Sequence, residues 1–324
     1  MRMLPFALAC AADAALGDPA TWPHPVRMVG AVCSRGERMA FCYARGDAKR
    51  ELVAGALLCV TLVGGTYAAA RAALVTAFRI DRRLGLVLEA ALGWTTLAAR
   101  DLIAEASAVT ARLECGDVCG ARRQVARIVG RDTAQLDAAE ITRATIETLA
   151  ESACDGIIAP LLALAIGGVP LALAFKTAST LDSMIGHIEP PYTFLGRVSA
   201  RLDDVACYLP ARITALVIAA CSPLIGADAW QALIVLRDDG HRHRSPNAGR
   251  PEAAMAGALG VRLGGRNHYD GVAREGAFLG ADLPAPTIGA ARQAATLVGI
   301  VAVTFAATIG VVLGVLDSFG IRKS

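Results

Sequence analysis

Two stretches of this chain, Leu52–Ala70 and Ala294–Leu316, contain no charged residue. Each matches the roughly 20 apolar residues that an α-helix needs to cross a bilayer. In hydrocarbon every backbone N–H and C=O must be satisfied internally, so only helices and closed barrels span it. Composition points the same way. The chain is 55% hydrophobic and 19% charged, with a mean hydropathy of +0.48, whereas soluble domains carry about a quarter charged residues. Disordered chains lack this much apolar surface and disulfide-built miniproteins are far shorter, so both classes are excluded. A purely soluble enzyme fits poorly.

Further apolar runs extend the pattern. Leu84–Ala99 is shorter and carries Glu89, and Met3–Leu16 is interrupted by Asp13. Met3–Leu16 has the look of a signal peptide, with Arg2 ahead of an apolar core, but it reads better as a first membrane segment. Ile157–Phe175 and Ile213–Leu236 are broken in the middle, by Gly167-Gly168-Val169-Pro170 and by Ser222-Pro223 with Gly226 and Asp228. Gly and Pro together punctuate a helix, so each of these segments is either a kinked span or a hairpin that dips in and returns. The expected fold is all-α: one polytopic integral membrane domain over residues 1–324, with membrane segments at 3–16, 52–70, 84–99, 157–175, 213–236 and 294–316. Amphipathic loop helices are expected between Arg100 and Asp155, and no stretch sustains the alternation of a strand.

If both broken segments return to their own side, loops 17–51, 100–156, 176–212 and 237–293 share one face and hold 25 of the 32 Lys and Arg. The positive-inside rule then places these loops in the cytoplasm. A net charge of +3 leaves no basic footprint for nucleic acid. Lysine is rare, at Lys49, Lys176 and Lys323, so an interior Lys176 stands out. Nine cysteines, mostly in apolar company such as Cys10, Cys59 and Cys221, fit a reducing compartment. The Cys115/Cys119 pair has no second ligand pair at zinc-finger distance.

The polar residues of the loops fall into four clusters. In the first, Pro19, Pro23 and Pro25 stiffen a segment bearing Asp18, His24 and Arg27, suited to an ion or phosphate, or to an interfacial loop anchored by Trp22. In the second, Arg143, Glu147, Glu151 and Asp155 recur every four residues, on nearly one side of a helix. Acids that run into a membrane segment tend to face a cavity or a partner. The third supplies Lys176, Asp182, Arg197, Arg201, Asp203, Asp204 and Arg212. Adjacent carboxylates beside cations suit a magnesium–phosphate site, although helix capping and snorkelling use the same residues. The fourth contains His241, His243, the turn Ser245-Pro246-Asn247-Ala248-Gly249 and Glu252. The turn's amides could cradle an anion, and the two histidines lack an obvious third metal ligand. Neither a P-loop nor a dinucleotide-binding glycine fingerprint is present.

In this order the clusters resemble the CobD/CbiB family, the membrane-associated adenosylcobinamide-phosphate synthases of cobalamin biosynthesis. The resemblance rests on GDPATWPHPVR, GRDT at Gly130–Thr133, DGIIAP, TLDSMIG, RLDD followed by PAR, and SPNAGRPEAAMAGALGVRLGG, and runs from about Asp13 to Gly280. It implies that adenosylcobyric acid is joined to an aminopropanol phosphate through a new amide, with ATP as co-substrate and Mg2+. On the matching positions, Glu151, Asp155, Lys176, Asp182, Asp203 and Asp204 become candidate catalytic residues. Asp155, Asp203 and Asp204 are candidate metal ligands. Asp18, His24, Arg27, Arg201, Arg212, Ser245, Asn247 and Glu252 are candidate substrate-binding residues. The implied partners are the corrinoid and aminoalcohol phosphate substrates, the lipid bilayer and other corrinoid-pathway membrane enzymes, with no nucleic acid.

The chain departs from the family pattern at Ser152, Ser179 and Cys207, where the family carries Asn, and at His187-Ile188, where an aromatic–lysine pair is usual. Asn supplies both a donor and an acceptor; Ser and Cys supply less. The alternatives are a catalytically silent, AmpE-like membrane sensor or scaffold, and a transporter suggested by the broken segments.

Overall fold

The computed structural model describes residues 1–19, 22, 24–187 and 189–319. Pro23, Ile188 and Lys323, singled out above, lie outside the described residues. The architecture is all-α. In chain order the helices begin with α1 (Met3–Leu16), α2 (Pro25–Ala44), α3 (Ala48–Ile80), α4 (Arg82–Trp94), α5 (Ala99–Glu114), α6 (Val118–Val125) and α7 (Ala138–Ala153). A π-helical turn, Cys154–Ile158, leads into α8 (Ala159–Ile185). Then follow α9 (Arg197–Ala206), α10 (Tyr208–Cys221), α11 (Ala229–Asp239), α12 (Gly249–Leu259) and α13 (Ile288–Ser318). Between α12 and α13 lie four short strands, β1 (Leu263–Gly264), β2 (Asn267–Tyr269), β3 (Val272–Arg274) and β4 (Phe278–Leu279). They pair antiparallel as β1–β4 and β2–β3 and are too short for sequence alternation to reveal.

Aspartate sets many of the helix starts. Asp47, Asp117 and Asp228 accept backbone N–H groups of the first turns of α3, α6 and α11, and Asp81 does the same for α4. At α7, Asp137 accepts from Glu140 N while the Glu140 carboxylate accepts from Asp137 N, a reciprocal capping box that satisfies two otherwise orphaned donors.

Among the described residues four helical stretches are long and apolar enough to cross a membrane: Ala48–Ile80, Ala138–Ile185, Tyr208–Ile225 and Ile288–Ser318. The chain is a multi-pass membrane protein. α1 is apolar but shorter, and α4 stops at Trp94, before the end of the expected 84–99 segment. Both broken segments carry real discontinuities. Within α8, Gly168 takes a non-helical conformation (φ 67°, ψ −163°) just ahead of Pro170. The expected 213–236 segment is two helices: α10 ends at Cys221, a 3₁₀ turn covers Ser222–Ile225, and Gly226 (φ 72°) closes it before α11. A Cβ resists such positive φ values, so glycine occupies both positions.

The chain divides into two units, each assembled from separated segments. The first comprises Met1–Ala98, Ala159–Cys207 and Ala306–Ser324; the second comprises Ala99–Ile158 and Tyr208–Phe305. In the first, Cys33, Cys59, Leu181 and Ile185 form a buried cluster joining α2, α3 and α8. There Gly55 admits the Leu195 carbonyl where a Cβ would lie 1.9 Å from that oxygen. In the second, Val109, Leu113, Ala121, Val125, Leu136, Ile141 and Ala144 form the core of the expected amphipathic loop helices, α5 to α7.

Candidate functional site

In the second unit a group of charges is buried around Glu147. Glu147 lies on α7 and is 3% exposed. Its Oε2 accepts from Arg131 Nη2. Its Oε1 accepts from Arg143 Nη1 at 3.1 Å and from the Gly264 N–H at 2.7 Å. Asn267 Oδ1 accepts from both arginines, at 2.8 and 2.9 Å. Arg143 also donates to the carbonyls of Gly264 and Arg266. The network therefore ties the loop before α7, α7 itself and the β1–β2 segment together. Burial alone would lower the proton affinity of Arg131; the Glu147 charge and hydrogen bond override it and leave the guanidinium more firmly protonated than usual.

Glu252, on α12, is buried beside this network. Its carboxyl is pushed well above the usual range, first by burial and then by the charges of Glu147 and Glu151; Arg131 and Arg143 offset only part. The loop ahead of α12 is built around His243. The Ser245 N–H donates to His243 Nδ1 at 3.0 Å. Gly249 leaves the room: a Cβ there would lie 2.3 Å from His243 Cβ. Burial holds the imidazole below its ordinary pKa; the Ser245 bond and Glu147 oppose this, and Arg244 and Arg131 reinforce it.

Other members of the predicted clusters are placed as follows. The four-residue stripe does not survive as one environment. Glu147 is buried, Glu151 is exposed, and Asp155 is half-buried in the π turn, whose extra residue interrupts the i, i+4 register. The turn Ser245–Gly249 is not an open amide cradle. Ser245 Oγ accepts from Asn247 N at 3.3 Å and Ala248 N at 3.2 Å, while buried Asn247 accepts from Arg212 Nη1 at 3.3 Å. Arg212 also stacks 3.4 Å over the Tyr208 ring and donates to the Tyr208 carbonyl.

The first unit brings the Asp18 cluster together. His24 Nε2 lies 3.7 Å and Arg27 Nη2 3.6 Å from the Asp18 carboxylate. Arg27 Nη2 also donates to the Pro19 and Trp22 carbonyls, so this guanidinium clamps its own loop. Trp22 packs edge-on to Trp94 at 5.8 Å, and Trp94 Nε1 donates to the Gly17 carbonyl. A small cleft is lined by Asp18, Trp22, His24 and Thr95. His24 is held below its ordinary pKa, by burial first; Asp18 opposes this and Arg27 and Lys176 add to it. Lys176 and Asp182 lie half-buried on α8, and Asp203 and Asp204 half-buried on α9. Exposed Arg201 is 3.5 Å from Asp204. The Cys207 thiol donates to Asp203 Oδ2 at 3.6 Å.

Among the described residues no three or more His, Cys, Asp and Glu side chains gather as a metal cage. The carboxylates of Asp203 and Asp204 nonetheless suit a hard cation that keeps several waters and takes its other ligands from phosphate. Cys115 and Cys119 are exposed, without a cage. Sequence reasoning missed Arg131 and Asn267, whose partners are distant in the chain; the GRDT motif was the available signal for Arg131.

The comparisons with known proteins agree with these motifs. The family described as CobD/Cbib protein matches residues 6–298. The cobalamin biosynthesis protein CbiB of Salmonella typhimurium LT2 is 43% identical over 271 residues, 84% of this chain and 85% of the relative. The cobalamin biosynthesis protein CobD of Klebsiella pneumoniae is 42% identical over 280 residues, 86% and 88% of the two chains. CobD of Geobacter metallireducens is 46% identical over 259 residues, 80% of each. No solved structure matches. The chain belongs to the CobD/CbiB family of cobalamin biosynthesis proteins.

Proposed function

We propose that this protein is an adenosylcobinamide-phosphate synthase of the bacterial inner membrane, its motif loops in the cytoplasm. It forms the amide between adenosylcobyric acid and an aminopropanol phosphate at the expense of ATP. The observation that carries this reading is the family match over residues 6–298, supported by the carboxylates and arginines that the motif segments carry.

The chemistry sets the demands. A carboxylate oxygen is a poor leaving group, so it first attacks the terminal phosphorus of ATP, the bond to the bridging oxygen breaks, and ADP leaves. The amine nitrogen then attacks the acyl carbon, the carbon–oxygen bond to phosphate breaks, and inorganic phosphate leaves. The ammonium proton passes to a carboxylate. Asp203 and Asp204 are assigned to magnesium, which when bound would neutralise phosphate charge. Lys176 and Arg201 supply cations toward phosphate oxygens. Asp182 and exposed Glu151 are candidate proton acceptors. Asp18, His24 and Arg27 shape the small cleft beside Trp22, and Arg212, Asn247 and Ser245 fix the loop before α12.

Complementation tests this proposal. A bacterial strain lacking its own synthase and fed cobyric acid should grow with the wild-type chain and fail with Asp203→Ala at matched membrane expression. Failure of well-expressed wild type would favour the silent-sensor reading and make Ser152, Ser179 and Cys207 decisive. Growth with Asp203→Ala would remove Asp203 from the machinery.

A further inference from the structure

His243 is built into its loop from two sides. The Ser245 N–H fills Nδ1 at 3.0 Å, and a ring nitrogen that accepts a hydrogen bond carries no proton. A neutral imidazole must then hold its proton on Nε2. Gly249 is what allows the ring its position, since a Cβ would lie 2.3 Å from His243 Cβ and 3.1 Å from the Gly240 carbonyl. The ring is half-buried, in the electrostatic reach of Glu147 and Arg131. Those two groups are already bonded to each other, and Glu147 also to Arg143 and the Gly264 N–H. Among the described residues none accepts from Nε2. A partly buried N–H, fixed in direction, therefore stands beside the charged network with no protein acceptor.

We propose that His243 is a substrate-contacting residue whose Nε2–H donates to an oxygen of an anionic substrate, a carboxylate or a phosphate. This inference rests on the proposed synthase function and gives a role to His243, which the sequence offered only as one of two histidines without a third metal ligand. The donor is neutral, so it selects an oxygen acceptor by direction rather than by charge, and it demands the tautomer that Ser245 imposes.

The two ring nitrogens can be tested separately, because Gln places a donor near Nε2 and Asn an acceptor near Nδ1. The full-length protein, in detergent or native membranes, is assayed for amide formation, with KM measured separately for the corrinoid acid and for the aminoalcohol phosphate. His243→Ala should raise the KM for one substrate by about tenfold to a hundredfold, the range for a hydrogen bond to a charged group. The substrate affected identifies the oxygen as carboxylate or phosphate. His243→Gln should recover most of that loss and His243→Asn should not. Recovery by Asn but not by Gln would show that the ring serves only the Ser245 loop, and would overturn the proposal. Equal losses in both variants with unchanged KM values would overturn it too. A wild-type protein that forms no amide would instead refute the synthase reading, an outcome distinct from active wild type with an indifferent His243.

Discussion

Replacing Glu147 by alanine removes the carboxylate shared by two guanidinium groups and a backbone N–H. The side chains of Arg131, Arg143 and Glu147 are 10%, 13% and 4% exposed, so little water can replace what is lost. Breaking a buried pair by removing one partner costs about 3–5 kcal/mol, chiefly because the surviving charge stays desolvated. At about 1.4 kcal/mol per decade, this is roughly a hundredfold to several-thousandfold in the folding constant. Here two cations survive, which favours the upper half; Asn267 continues to accept from both and moderates it. The control is the Arg266–Glu275 pair, whose side chains are 65% and 69% exposed; losing it should cost no more than about 1 kcal/mol. Both variants would be purified in the same detergent and their equilibrium unfolding compared with wild type. A loss at Glu147→Ala no larger than at Glu275→Ala would refute the claim that this buried network holds the loop before α7, α7 and the β1–β2 segment together. Glu147→Gln, which keeps the shape and one acceptor, should fall between.

Glu252→Gln tests the neighbouring acid. Because the folded-state pKa of Glu252 is raised, the folded protein binds the proton more tightly than the unfolded chain. Stability contributed by this group is complete below the unfolded value near 4.5 and is lost as pH rises toward the folded value. Gln cannot titrate, so the variant should lose that decline in an unfolding series run from acid to neutral pH; an unaltered slope would contradict it. Gly249→Ala should destabilise by about 1–3 kcal/mol through overpacking against His243 and the Gly240 carbonyl, measured by the same unfolding method, and a neutral result would mean that the loop yields easily.

Local signals were legible where a single segment carries the whole cause. The apolar runs gave α3 and α13, and Gly168-Val169-Pro170 and Gly226 marked backbone breaks. The motif order gave the family. What stayed hidden depended on chain-distant partners or on a one-residue insertion. The stripe from Arg143 to Asp155 looked like one helix face, yet Arg131, sixteen positions before Glu147, and Gly264, far beyond it, decide that Glu147 is buried. The π turn then separates Asp155 from the periodicity that seemed to include it. At the Ser245 turn, composition suggested amides open to an anion, but the serine's own hydroxyl accepts two of them. Short strands such as Asn267–Tyr269 have too few residues for alternation to show.

The way the chain is divided also bears on how it is made. The first unit needs Met1–Ala98, Ala159–Cys207 and the segment from Ala306; the second needs Ala99–Ile158 and Tyr208–Phe305. The ribosome therefore delivers the start of the second unit before the first is complete, and α13 supplies the last piece of both. Until that helix emerges, earlier helices wait in the bilayer with their final neighbours missing. Assembly of both units is thus expected late in synthesis. A stop codon ahead of Ile288 would deprive both units at once, instead of leaving one finished domain behind.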